Sequence, residues 1–127
     1  MAQSFADMVA EARERSRIVS PEEAFEMARK GDLILDVREP GELLADGRVE
    51  SALHVPRGVL ESKADPRSPA AAPDLVARRE GGTVHVLCAS GARAALAAVT
   101  LTRMGYRAAV IEDGLKGWRA ANLPVEG

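Results

Sequence analysis

The sequence predicts an α/β fold in which parallel strands form a sheet with helices on both faces. Short apolar runs alternate with segments of helical character along the 127 residues. The clearest unit runs from Val84 to Met104, where an apolar run ends at a cysteine and a segment rich in Ala and Leu follows at once. Strands that alternate with helices at short spacing are typical of βαβ units, whose strands are parallel. A chain of this length corresponds to one domain.

Residues 4–17 are predicted to form an amphipathic helix, because their apolar side chains recur at helical spacing. The residues on this apolar face are Phe5, Met8, Val9 and Ala12. The charged residues between them fall mostly on the other face and are interpreted as solvated. We therefore interpret residues 1–17 as an amphipathic helical extension and residues 18–127 as the main domain.

Residues 20–23 carry the signals of a helix start. Ser20 is the expected N-cap, Pro21 takes the first helical position, and Glu23 completes a capping box. A short strand at 18–19 precedes this helix, and Gly31 is expected to end it.

Residues 32–38 are predicted to form a strand that is buried on both faces. Its apolar residues are nearly continuous, as in the interior of a parallel sheet; they are Leu33, Ile34, Leu35 and Val37. The strand ends in a charged cluster that runs from Asp36 to Pro40. Open α/β sheets bind ligands at the carboxyl ends of their strands. For Asp36 itself, the expected role is an ion pair that anchors the following loop.

The remaining elements are predicted from apolar runs and from the positions of Gly and Pro. They are a turn that leads into a short helix at 39–44, a strand at 52–56, an irregular Pro-rich excursion at 62–73, a helix at 74–80, strands at 84–87 and 108–111, and helices at 92–104 and 115–122. Trp118 and Tyr106 are expected in the core. His54 and His85 lie inside predicted strands, and we expect them to pack there rather than to act as an acid or a base.

The chain's only cysteine, Cys88, is predicted to lie in the tight loop between a strand and a helix. Free backbone N–H groups at the start of a helix stabilise an anion, and a thiolate is such an anion. Ser90 and Gly91 let the backbone approach a ligand closely, and Arg93 adds a cation. A lone cysteine is more often a small buried apolar residue, so a purely structural interpretation stands beside the functional one.

The composition narrows the function classes. A net charge of −2, with 46% hydrophobic and 28% charged residues, is typical of a globular domain and gives no reason to expect a nucleic acid or a membrane as partner. The sequence has neither an apolar run of transmembrane length nor the pattern of a signal peptide. A single cysteine cannot form an internal disulfide and stays reduced in a cytosol, so we expect a cytoplasmic protein. We expect no metal or organic cofactor, because the sequence carries no zinc-ligand set, Walker loop or dinucleotide fingerprint.

Taken together and in order, four segments resemble a single-domain rhodanese, a member of the rhodanese-like sulfurtransferase family. The resemblance spans residues 18–127 and leaves the first helix as an extension. The segments that carry it are Leu35-Asp36-Val37-Arg38-Glu39-Pro40-Gly41-Glu42, the stretch from Gly47 to Pro56-Arg57-Gly58, the loop Cys88-Ala89-Ser90-Gly91-Ala92-Arg93, and Gly114-Leu115-Lys116-Gly117-Trp118 through Leu123-Pro124. The family often has a Gly-Gly pair where this chain has Asp113-Gly114.

The resemblance implies a five-stranded parallel sheet flanked by helices, and a persulfide on Cys88. The implied reaction moves a sulfane sulfur from a small anionic donor such as thiosulfate to cyanide, a thiol or a protein cysteine. The expected substrate-binding residues are the loop residues Ala89, Ser90, Gly91, Ala92 and Arg93, together with Arg38. Arg93 has two open roles, because it can hold the anionic donor or fold back to brace the loop.

Two other functions remain open at this stage. A small phosphatase or arsenate reductase shares the cysteine–arginine loop, but phosphatase loops carry five residues between the two, whereas Cys88 and Arg93 are separated by four. The shorter ring suits one sulfur atom better than a tetrahedral phosphate. A non-catalytic rhodanese-like module that binds a partner or senses persulfide is the other alternative.

Overall fold

The structure is a computed structural model that describes residues 2–127. Within these residues, five strands form one sheet in the order β1-β5-β4-β2-β3, and every neighbouring pair is parallel. The predicted fold class is therefore confirmed. The strands are β1 (Arg17–Val19), β2 (Leu33–Asp36), β3 (Leu53–His54), β4 (Val84–Leu87) and β5 (Ala108–Ile111).

The helices occupy most of the segments that the sequence predicted. Their bounds are α1 (Phe5–Arg15), α2 (Pro21–Arg29), α3 (Pro40–Asp46), α4 (Leu60–Ala64), α5 (Pro73–Val76), α6 (Ala92–Arg103) and α7 (Gly114–Ala120), with 3₁₀ turns at Arg57–Val59 and Ala77–Glu80. The excursion predicted at 62–73 begins inside α4 and is irregular only beyond it. The strand predicted at 52–56 is shorter than expected and spans only Leu53–His54, although the N–H groups of Val55 and Arg57 still donate to the carbonyls of Asp36 and Val37.

The sheet separates two apolar cores. On one face, strand side chains pack against α1, α4, α5 and α6. On the other face they pack against α2 and α7, where Trp118 is fully buried. The rings of Trp118 and Phe25 meet edge-on, with 5.9 Å between their centroids. Tyr106 is buried in the first core and donates its hydroxyl hydrogen to the carbonyl of Ala64 at 2.7 Å. The core positions predicted for Trp118 and Tyr106 are confirmed.

The capping residues that the sequence predicted at the start of α2 form the expected hydrogen bonds. The N–H of Glu23 donates to the Ser20 hydroxyl at 3.0 Å, and the Ser20 N–H donates to the Glu23 carboxylate at the same distance. This is the predicted capping box. An equivalent box between Ser4 and Asp7, which the sequence reading did not identify, begins α1.

Helix α1 lies against α6, but only part of its apolar face is covered. Ala12 is buried in the first core, whereas Phe5 and Met8 are 61% and 47% exposed. The chain enters β1 at Arg17, so the last residue of the predicted extension already belongs to the sheet.

Every helix within residues 2–127 falls short of the length and apolar character that a membrane span requires.

Candidate active site

The Cys88 loop follows β4, which lies between β5 and β2 in the sheet. All four residues of β4 are buried, so the strand fixes the position of the loop from both faces. Gly91 turns the chain into α6 with a φ of 110°, a left-handed conformation that glycine adopts without strain. The loop thus lies at the carboxyl edge of the sheet, where parallel α/β folds place their ligands.

Backbone amides point at the sulfur of Cys88. The N–H of Gly91 donates to Sγ at 3.0 Å, and the N–H of Ala94 donates at 3.4 Å. Residue Cys88 is only 1% exposed, so its sulfur lies at the floor of the loop. N–H groups at the start of a helix stabilise negative charge placed close to them. Ala94, one residue beyond the predicted loop, is a contributor that the sequence reading missed.

Other loop amides remain available to a ligand. The N–H groups of Ala89, Ser90, Ala92 and Arg93 make no hydrogen bond to any residue in the described range 2–127. Unpaired N–H groups at the start of a helix bind anions, because they add to the positive end of the helix dipole. The loop therefore combines a held sulfur with additional donors close to it.

Arg93 forms a two-pronged ion pair with Glu42 of α3. Its Nη1 lies 2.6 Å from Glu42 Oε1 and its Nη2 lies 2.8 Å from Oε2. The Arg93 hydrogen bonds lower the pKa of Glu42 from 4.5 to about 2, and the same pairing raises the pKa of Arg93. Of the two roles left open for Arg93, the structure favours bracing. Glu42 was quoted in the resemblance, but no sequence signal linked it to Arg93.

The environment of Arg38 differs from the predicted one. Its guanidinium is fully buried, and Nε and Nη2 donate to both carboxylate oxygens of Asp36 at 2.7–3.2 Å. Nη2 also donates to the carbonyl of Gly47 at 2.9 Å. The burial contradicts the expected contact of Arg38 with an anionic donor, because a fully enclosed cation cannot meet a ligand in solvent. Asp36 has the expected loop-anchoring role, and its Oδ1 accepts the Arg38 backbone N–H.

The start of α7 supports the loop from the side opposite α6. The N–H of Leu115 donates to the Cys88 carbonyl at 2.8 Å, and the N–H of Lys116 donates to the Ala89 carbonyl at 3.3 Å. Gly114 is in contact with the same backbone. A Cβ at this position would overlap the Cys88 carbonyl oxygen and lie 2.7 Å from the carbonyl carbon of Ala89. The sequence showed the glycine but not the loop it touches.

The two histidines lie outside the loop, as predicted. His54 Nε2 is 2.7 Å from the Arg38 carbonyl oxygen, and His85 Nε2 is 2.9 Å from Asp32 Oδ2. Burial alone would raise the pKa of Asp32, but hydrogen bonds from His85 and the Thr83 N–H outweigh it and lower the pKa.

Residues 2–127 contain no group of three His, Cys, Asp or Glu side chains arranged to hold a metal ion.

Comparison with known proteins assigns the fold to a family. The sequence profile of the family described as rhodanese-like domain matches residues 20–121. A solved structure from Rhodopseudomonas palustris, described as a protein of unknown function and a possible tyrosine phosphatase, is 33% identical with a TM-score of 0.89, over 99% of this chain and 96% of that one. No curated protein sequence matches the chain.

Two solved sulfurtransferases are also similar. The polysulfide-sulfur transferase homodimer of Wolinella succinogenes is 31% identical with a TM-score of 0.72, over 95% of this chain and 85% of that one. A thiosulfate sulfurtransferase from Pseudomonas aeruginosa is 22% identical with a TM-score of 0.74, over 94% of this chain and 22% of that one. The second likeness is one of fold alone.

Proposed function

The chain belongs to the rhodanese-like domain family, and on that premise we propose that it is a sulfurtransferase that carries a sulfane sulfur as a persulfide on Cys88. The observation that supports this most is the amide environment of the sulfur. Sγ accepts hydrogen bonds from the N–H groups of Gly91 and Ala94, and four more N–H groups of the same loop have no partner among residues 2–127. An outer sulfur bonded to Sγ would carry a negative charge, and these donors would hold it.

The proposed reaction has two balanced steps. The Cys88 thiolate attacks the outer sulfur of a donor such as thiosulfate, the S–S bond of the donor breaks, and sulfite leaves with the bonding electron pair. An acceptor then attacks the outer sulfur of the persulfide and restores the thiolate. With cyanide the product is thiocyanate, and with a thiolate the product is a new persulfide.

The substrate contacts in this proposal come from the backbone. The N–H groups of Ala89, Ser90, Ala92 and Arg93 bind the anionic donor, while Gly91 holds Sγ itself. The proposed acceptor is a small thiol or a protein cysteine. We assign the reaction to the cytoplasm, because a reducing compartment keeps the single thiol available.

The test is mass spectrometry of the intact protein after incubation with thiosulfate. We expect the wild-type protein to gain one sulfur atom, and the mapped site to be Cys88. Cys88→Ser should gain none, because a hydroxyl in this loop is not ionised and does not form the bond. Subsequent addition of cyanide should remove the sulfur and release thiocyanate.

Failure of this test has two distinct meanings. If neither thiosulfate nor an organic persulfide loads Cys88, the chain is a binding module of the same family. Phosphate release from an aryl phosphate, lost in Cys88→Ser, would instead support the phosphatase function suggested for the Rhodopseudomonas relative. The four-residue spacing between Cys88 and Arg93 and the pairing of Arg93 with Glu42 oppose that outcome.

A further inference from the structure

We propose that Glu42 sets the charge class of the sulfur donor: by neutralising Arg93 beside the loop, it favours monoanionic donors over dianionic ones. The inference rests on the proposed sulfurtransferase function and specifies which donors that function takes. Organic persulfides and thiosulfonates belong to the favoured class. Thiosulfate, a dianion, belongs to the disfavoured one.

The pairing with Glu42 occupies both terminal nitrogens of the Arg93 guanidinium, so little of its charge is available to a ligand. Both carboxylate oxygens and both terminal guanidinium nitrogens take part, at 2.6 and 2.8 Å. A bidentate arginine–carboxylate pair is held by the planar geometry of both groups. The two side chains are only 34% and 28% exposed, so water screens the pair less than it would on an open surface.

Glu42 is itself held in place by its own helix. Its Oε1 accepts the backbone N–H of Glu39 at 3.0 Å, which caps the start of α3. The carboxylate is therefore fixed between the α3 terminus and the Cys88 loop. A change to glutamine keeps an oxygen for this cap and removes only the charge, since Glu and Gln serve equally at this position.

Two other arginines near the loop also have carboxylate partners. Arg13 binds the Glu112 carboxylate through Nη2 at 3.0 and 3.2 Å, while its Nη1 lies 3.8 Å from where a Cβ of Gly91 would be. Arg38 is enclosed with Asp36. The attraction for a donor then comes mainly from N–H groups and the start of α6, which together amount to roughly half a unit charge. A partial charge of this size suits a single negative charge better than two.

Two donors with the same sulfane sulfur and different charge test this proposal. With thiosulfate, a dianion, sulfite is the leaving group; with methanethiosulfonate, a monoanion, methanesulfinate is the leaving group. In each case Cys88 gains one sulfur and the leaving group keeps the electron pair of the broken S–S bond. The measured quantity is the ratio of kcat/KM for thiosulfate to that for methanethiosulfonate, which cancels changes common to both donors.

We expect Glu42→Gln to raise this ratio about fivefold, because it frees the Arg93 charge for the second charge of thiosulfate. Arg93→Gln should lower the ratio, since it leaves the Glu42 carboxylate unpaired beside the donor. The double variant should lose the gain of Glu42→Gln, because the cation responsible is gone. Circular dichroism confirms that each variant is folded.

The matched control is Glu26→Gln on α2, which makes the same change in net charge and also releases an arginine, Arg29. Its ratio should equal that of the wild-type protein. An equal loss of activity toward both donors in Glu42→Gln would overturn the proposal and leave Glu42 as a brace. If no donor loads Cys88 in the wild-type protein, the proposed function itself is wrong, and that result is distinct from an unchanged ratio.

Discussion

At the scale of single residues, two arginines that were both candidates for anion binding have different roles. Arg38 and Arg93 each follow a buried strand and each was a candidate for anion binding. The structure encloses Arg38 with Asp36 and leaves Arg93 half-buried with Glu42. Enclosure of a charge is tolerated only where a partner and further hydrogen bonds compensate it. The partner, and not the arginine, therefore decides which cation a ligand can meet.

The lowered pKa of Glu42 predicts a pH dependence of stability. In the unfolded chain the carboxyl group titrates near 4.5, and in the folded protein near 2. Between these values the unfolded state binds a proton that the folded state does not. The stabilisation is therefore complete above about pH 4.5 and is lost as the pH falls toward 2.

The measurement is the free energy of unfolding in urea for the wild-type protein and for Glu42→Gln across this range. We expect the wild-type protein to be more stable by about 1 kcal/mol at neutral pH, a value that allows for solvent screening. The difference should shrink in acid. A difference that stays constant with pH would show that Glu42 stabilises the fold without its charge.

At the scale of elements, the active loop depends on two helices that begin beside it. The start of α6, together with Gly91 just before it, supplies the amides that point at Cys88, and α7 supplies N–H groups that hold the carbonyls of Cys88 and Ala89. The close approach of α7 requires the absence of a side chain at Gly114, whose φ is 54°. The geometry of the loop is thus set by packing around it as much as by its own residues.

Gly114→Ala is predicted to disrupt the loop. The added methyl group would overlap the backbone of Cys88 and Ala89, so the start of α7 must move and its hydrogen bonds to the loop must lengthen. We expect a loss of stability of about 1–3 kcal/mol, measured by urea unfolding, and slower loading of sulfur on Cys88.

Gly41→Ala on α3 is the matched control. A Cβ there meets no atom within 4 Å, and the residue lies inside a helix with ordinary backbone geometry. Stability should be unchanged or higher by up to about 1 kcal/mol, because alanine favours helix more than glycine does. Equal effects of the two substitutions would contradict a special role for Gly114.

At the scale of the whole molecule, the two cores share one sheet and are expected to unfold together. The helical extension takes part, because Ala12 is buried against α6 and Arg13 is paired with Glu112 after β5. Trp118, the chain's only tryptophan, reports on the opposite core. A single domain of this size normally unfolds in one cooperative step.

We predict that Trp118 fluorescence and far-ultraviolet circular dichroism will give the same urea midpoint. Backbone amides in the buried part of α1 should be protected from hydrogen exchange as strongly as those in α6, since both helices belong to one core. An earlier transition confined to residues 4–15 would show that the extension folds independently of the sheet.

The sequence was sufficient where the signal is local. Continuous apolar runs predicted β2 and β4, and the Ser20 capping box predicted the start of α2. The contact between Glu42 and Arg93 was beyond reach, because it joins residues 51 positions apart. The burial of Arg38 was missed for a different reason. Its partners, Asp36 and the Gly47 carbonyl, are near in sequence, but neither apolar pattern nor spacing reports that they enclose the guanidinium.

The near-complete burial of Cys88 has a consequence for chemical labelling. A reagent must pass the loop before it reaches the sulfur, so its width matters as much as its electrophilicity. Slender alkylating agents such as iodoacetamide should modify the native protein, whereas maleimides that carry large dyes should react only after denaturation. Thiol surveys that use bulky tags on folded samples would therefore score this cysteine as inert, although slender reagents would detect it.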